Sequence, residues 1–207
     1  MRNFTYKIDH DYGLAPNPFG GFCTLAVCKS DIRKNKNLEL GSWVFGTGAK
    51  SVGTQYFRKL IFCMKVEEKL TFDDYWNDVR FQYKKPILNG SLVQMYGDNF
   101  YHRDENGDWI QENSAHSLED GTPNEMHLIR DTGGNFVLVS KDFYYFGENA
   151  ITIPEEFTSA ICTNARNMAF AKPEETVDAF ITWLQSNYEK SILYGDPISW
   201  SVHVKKK

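Results

Sequence analysis

Apolar and polar positions change period several times along the chain, and each change marks an element. Phe4, Tyr6 and Ile8 alternate with polar residues, the period of a half-buried strand. Residues 9–21 cannot continue it, because Pro16 and Pro18 lack ladder donors and Gly13, Gly20 and Gly21 favour turns. Residues 22–28 form a compact apolar run that suits a strand or a short buried helix. Residues 30–37 are a basic polar surface segment. Residues 40–46 read as a turn entering a strand that ends in Gly46-Thr47-Gly48, and residues 59–66 are apolar and bounded by charge, as a buried strand should be. Thr71 is a good N-cap and Asp73 and Asp74 suit a first helical turn, so a short helix starts there.

From 77 to 135 the periodicity is poor. Asn89-Gly90, Gly97-Asp98-Asn99, Asn106-Gly107-Asp108 and Gly133-Gly134 punctuate a long loop-rich excursion with short hairpin strands, for example around Trp109 and Ile110. Residues 112–126 are expected to be mobile, and whether 104–126 order only on binding is left open. Residues 136–140 return to a buried strand. Residues 173–189 carry the clearest helical signal. Pro173 suits its first position, Glu174 and Glu175 suit the positive end of its dipole, and Val177, Phe180, Ile181, Leu184 and Tyr188 fall on one face. Trp200 and Val202 could add a last short strand before a basic tail at Lys205, Lys206 and Lys207. With no internal repeat and no linker, the pattern predicts one α+β domain over 1–207, built on a mostly antiparallel, strongly bent sheet with a few helices.

Composition narrows this picture. Over 207 residues, 42% hydrophobic and 15% aromatic positions suffice for one good core. A formal net charge of -4 argues against a wholly basic nucleic-acid binder but permits a local basic patch. The four cysteines, Cys23, Cys28, Cys63 and Cys162, show no C-x-x-C spacing, so no metal site is expected and a reduced, cytoplasmic setting is the simplest reading. The first eight residues hold no hydrophobic signal region and no run approaches ~18 apolar residues, so no membrane partner is expected. Gly46-Thr47-Gly48-Ala49-Lys50 lacks the spacing of a phosphate loop, and Ser140 lacks a G-x-S-x-G setting. No cofactor is expected.

The remaining chemistry lies in several clusters. Asp9, His10 and Asp11, with His102, could supply an acid and a base. The alternative is a solvated strand end with ordinary turn residues. The loop holding Asn17 and Phe19 could clamp a ligand or could simply be a fixed turn. Trp43, Tyr144 and Tyr145 offer stacking faces, beside Tyr12, Thr47 and Lys50, while Arg58, Arg80, Lys84 and Lys85 could meet phosphate. Against that, large rings are mostly core. Cys23 and Cys28 sit in an apolar run and are expected as inert core residues, since a nucleophilic role would need a spatially adjacent His.

Residues 11–19 and 23–29, Ile32-Arg33, residues 41–48, residues 64–76, Lys84-Lys85-Pro86, residues 96–102, residues 143–147 and Gly195-Asp196-Pro197, in that order, resemble the nucleotide modification associated domain 2 family. The resemblance covers nearly the whole chain. It implies a bacterial or phage protein associated with pathways that modify DNA bases, and it carries over no catalytic residue. The layout of strand, loop, strand, Gly-Ser-Trp-Val and residues 59–66 also resembles PUA-like modules such as EVE and YTH domains. Those fold as a small bent barrel with an aromatic-lined pocket for a modified base, which would place Trp43 and the Asn17 loop near a pocket. Three expectations follow: binding of a modified nucleotide or nucleic-acid base, an enzyme acting on a nucleotide or DNA base by acid/base chemistry, or a protein-interaction scaffold.

Overall fold

Alternation along the first strand decides which side of the main sheet faces which layer. In the computed structural model, which describes residues 1–201, β1 (Asn3–Ile8) turns Phe4, Tyr6 and Ile8 to one face. The other strands are β2 (Cys23–Leu25), β3 (Trp43–Gly48), β4 (Leu60–Lys65), β5 (Glu68–Leu70), β6 (Tyr101–Arg103), β7 (Trp109–Gln111), β8 (Val137–Ser140), β9 (Phe143–Tyr145), β10 (Ala169–Ala171) and β11 (Ile192–Leu193). A mixed sheet of six runs in the order β10-β1-β3-β4-β9-β11. Its β1–β3 and β9–β11 pairs are parallel and its other three pairs antiparallel. β2, β8 and β5 make a smaller antiparallel sheet, and β6 and β7 a hairpin.

The two faces of the large sheet bury different partners. Val44, Phe62, Met64, Phe143 and Tyr145 join Phe4, Tyr6 and Ile8 against Cys23, Leu25 and Leu138 of the small sheet. The alternate residues Trp43, Phe45, Cys63 and Tyr144 pack under α5 (Glu155–Ile161) and α6 (Glu174–Asn187) through Ile161, Val177, Phe180 and Leu184. This is the period-two rule acting on a sheet covered on both sides. A third cluster, with Val137, Val139, Phe72, Tyr75, Phe81 and Phe100, closes the outer side of the small sheet. The helices α1 (Ser30–Arg33), α2 (Phe72–Asn77), α3 (Leu92–Met95) and α4 (Glu125–Thr132) belong to that side and to the connections.

The domain is α+β, as its pattern predicts, but the described residues form no closed barrel. The large sheet ends at β10 on one edge and β11 on the other, and helices rather than strands cover its second face. Pro173 is the N-cap of α6 and not its first residue. Thr71 caps α2 as expected, accepting from Asp74 N–H. Trp200 is helical rather than extended; Val202 and Lys205 to Lys207 lie outside the described residues. Among the described residues no helix is long and apolar enough to cross a membrane.

The excursion from 77 to 135 is tied down by one buried ammonium. Lys84 is 1% exposed, and its Nζ donates to Asn17 O, Asn17 Oδ1, Phe22 O and Thr24 Oγ1 within 3.0 Å. Asp98, equally buried, accepts from Thr24 Oγ1 and Tyr75 OH. Burial pulls the Lys84 pKa down to about 8, against the attraction of Asp98. The Asn17 loop therefore owes its shape to a side chain more than sixty residues away in sequence.

Candidate functional site

The turn that leaves β2 is the local departure from ordinary backbone. After Ala26 and Val27, both Cys28 (φ 55°) and Lys29 (φ 40°) are left-handed, and α1 starts at Ser30. Two consecutive non-glycine residues in this region cost free energy and persist only where surroundings enforce them. Here the enforcement is visible. Cys28 N–H donates to Asp131 Oδ1 at 2.9 Å, and Arg33 Nε donates to Cys28 O at 2.9 Å. Arg33 is itself wholly buried and also donates to Phe136 O and Asp131 O. Its guanidinium needs the space at Gly134, where a Cβ would come within 2.3 Å of Arg33 Cζ.

This clamp brings three groups into a chain. Cys28 Sγ lies 3.9 Å from His116 Nε2, and His116 Nδ1 lies 2.8 Å from Asp131 Oδ2. Asp131 is wholly buried and also accepts from Arg130 Nε at 2.8 Å and Tyr101 OH at 3.2 Å. Burial opposes its ionisation, but hydrogen bonds from His116 and Arg130 outweigh this and hold the carboxyl well below the usual range. Burial likewise opposes charge on His116, yet Asp131 and Cys28 lift its pKa to about 9, so the ring is an imidazolium at neutral pH. Both ring nitrogens then carry protons, one aimed at Asp131 and one at the sulfur. Arg130 Nη2 lies 3.9 Å from the same sulfur. Cys28 is half-buried and unbridged. Its thiol thus faces two cations in a partly open place, the setting in which cysteines act as nucleophiles.

A cleft of about 420 Å³ opens over this chain, within the range of small-molecule sites. Cys28, Lys29, His116 and Arg130 line it together with Ile8, Asp9, His10, Tyr12, Ala15, Arg166 and Asn167. Tyr12 stacks on Tyr96 and His10 on Tyr12. Lys29 Nζ donates to Arg166 O at 2.9 Å and sits 4.4 Å from the Tyr6 ring centre. Asp9 pairs with Arg166 at 2.8 Å and accepts from Ser51 Oγ, interactions that outweigh its partial burial and lower its pKa. Cations outnumber anions around the cleft, which suits an anionic ligand with a flat face. Cys28 and Asp131 lie at opposite nitrogens of one imidazole, so the three cannot converge on one ion. Among the described residues no group of three or more His, Cys, Asp or Glu is arranged as metal ligands.

Of the residues singled out in the sequence, the cleft gathers Asp9, His10 and Tyr12. Asp11 turns away, wholly enclosed, accepting from Tyr145 OH at 2.6 Å and from the Ile198 and Gly13 N–H groups. Burial pushes its pKa up. Asn17 is 1% exposed, with its amide committed to Tyr96 O, Phe19 N–H and Lys84. Phe19 stacks on Trp200. Trp43 packs against Phe45 and Tyr144 on the opposite face of the sheet, beneath α6, so it cannot share a pocket with the Asn17 loop. Thr47 is buried, and Lys50 is exposed beside Phe57. Arg58 is exposed, Arg80 is doubly paired to Glu68 and Asp78, Lys84 is interior, and Lys85 lies 3.4 Å over Trp76. His102 stacks on the same Trp76 and pairs with Glu112.

Sequence reasoning passed over His116, Arg130, Asp131 and Arg166. His116 and Asp131 lie in the excursion whose periodicity is poor, and His116 falls within the stretch expected to be mobile. The one available signal was the condition set for Cys28, a spatially adjacent His, which the fold meets. The family model of nucleotide modification associated domain 2 matches residues 1–204. No curated protein and no solved structure matches the chain.

Proposed function

Starting from the nucleotide modification associated domain 2 family, to which the chain belongs, we propose that it is an enzyme modifying a nucleotide by covalent catalysis from Cys28. The observation that carries this reading is the Cys28–His116–Asp131 chain at the edge of a cationic cleft. With its proton passed to His116 Nε2, Cys28 Sγ attacks as a thiolate an electrophilic carbon of the base, or of a group it bears, and forms a carbon–sulfur bond. The displaced electron pair moves to the adjoining oxygen or nitrogen, which takes the proton of His116 Nε2. Asp131 keeps the imidazolium aimed at the sulfur. A second nucleophile, water or the group to be attached, then displaces the sulfur and returns its proton to His116. Tyr12 and His10 supply a flat wall for the base, and Lys29 and Arg166 meet phosphate. The setting that goes with this reading is a bacterial or phage DNA-modification or defence pathway, of which the family description supports the association with nucleotide modification.

Iodoacetamide at pH 7 with peptide mass spectrometry tests this. Cys28 is expected to be alkylated well before Cys162, the other half-buried cysteine, and deoxynucleoside monophosphates are expected to slow the reaction. His116→Ala should remove most of Cys28's advantage. Equal labelling of Cys28 and Cys162, indifferent to nucleotide and to His116→Ala, overturns the proposal. Nucleotide protection without any Cys28–ligand adduct or product would instead favour a recognition module.

A further inference from the structure

The basic surface segment at residues 30–37 is not accounted for by the cleft. It continues directly from Cys28 and Lys29 through α1. Its far end, with Lys34 and Lys36 exposed and Asn35 half-buried, lines a second, shallower concavity of about 490 Å³ together with Asp31, Asn167 and Met168. Asn167 lines both concavities, so the two adjoin at that residue. From this continuity we infer that the substrate of Cys28 is a base within a nucleic-acid strand, with the adjoining backbone lying over Lys34 and Lys36. The inference rests on the nucleotide reading of the cleft and specifies its substrate class.

Charge and shape both support it. Asp31 is the acidic residue of the second concavity, and it is engaged by Lys34 at 3.6 Å and by Asn167 Nδ2 at 3.5 Å. Lys36 has no ion pair among the described residues, so the concavity carries net positive charge on a chain of net charge -4. A phosphodiester backbone is drawn to such a stripe by counterion release, whatever its sequence. The first cleft, about 420 Å³, is of the size that takes a single small ligand such as one base. The target base therefore comes from a single strand or is turned out of a helix.

Protection of Cys28 from iodoacetamide, compared between deoxynucleoside monophosphates and a mixed-sequence twelve-nucleotide single-stranded DNA, tests the inference. The oligonucleotide is expected to protect at concentrations at least tenfold lower. The Lys34→Gln/Lys36→Gln variant should lose most of that advantage while monophosphate protection stays unchanged. It should also flatten the dependence of log affinity on log salt by about 1.4, the value for two single-strand phosphate contacts. Monophosphate protection with no gain from the oligonucleotide, or a gain that survives the double substitution, overturns the inference and leaves the nucleotide reading standing. Protection by neither probe removes both.

Discussion

His116 Nδ1 meets Asp131 Oδ2 across 2.8 Å, and this pairing turns the opposite nitrogen toward Cys28. A histidine from a turn and an aspartate from α4 thus form one unit, closed by the fold of the excursion that carries both.

The pair makes stability depend on pH with a definite sign. The folded pKa of His116, about 9, lies above its ordinary 6.5. Its contribution is complete below the unfolded value and is lost as pH rises through about 9, by up to about 3 kcal/mol. Lys84 gives the opposite slope, because its pKa falls from 10.5 to about 8, so stability rises as pH passes through that window. The difference between wild type and His116→Asn isolates the first term. Urea unfolding from pH 6 to pH 10 should show that difference shrinking toward zero on the alkaline side. A constant difference would mean His116 is neutral in the folded state.

Asp131→Asn leaves the His116 and Arg130 charges without their buried counter-ion. Removing one partner of a buried ion pair costs about 3–5 kcal/mol. Denaturant unfolding should show a loss of that order, and the iodoacetamide rate at Cys28 should fall with it, since the imidazole loses its orientation. Unchanged stability would show that Asp131 does not carry the charge its contacts imply.

Gly134→Ala probes the clamp on the Cys28 turn. A Cβ within 2.3 Å of Arg33 Cζ forces the guanidinium off its carbonyl partners. Overpacking of this kind costs about 1–3 kcal/mol. The midpoint of unfolding should drop, and Cys28 should lose its selective alkylation. Normal reactivity would show that the left-handed turn holds without Arg33.

Lys84→Met removes a buried ammonium with four acceptors around it and takes from the buried Asp98 the cation that attracts it. A loss of about 3 kcal/mol is expected from orphaned buried polar groups. Calorimetry reads it directly, and a loss below 1 kcal/mol would refute the anchoring role.

Tyr6→Phe should behave in the opposite way. The Tyr6 hydroxyl is buried, with no hydrogen-bond partner among the described residues. Deleting it should leave stability within about 0.5 kcal/mol or raise it by about 1 kcal/mol. A marked destabilisation would reveal a partner for the hydroxyl.

Much of the scaffold was legible before folding. The period-two run at Phe4, Tyr6 and Ile8, the apolar block over 59–66 and the amphipathic stretch after Pro173 each state their element and buried face, because burial is dictated locally by period and chemistry. The site was less legible. Asp11 and Asn17 read as ligand-facing because short polar residues near glycine and proline suit both turns and pockets. Tyr145 and Lys84 decided for the interior. Trp43 read as a stacking surface, but its parity on β3 sends it under α6.

The sequence by itself determined the α+β class, the main strands, the last long helix and the basic segment after Cys28. These follow from interactions between near neighbours along the chain. Only the tertiary structure decided that Cys28 has a histidine and an aspartate beside it. His116 and Asp131 approach it from 88 and 103 residues away. Their approach is set by Arg33, Gly134 and the packing of α4, and no local period records a contact made across such separations.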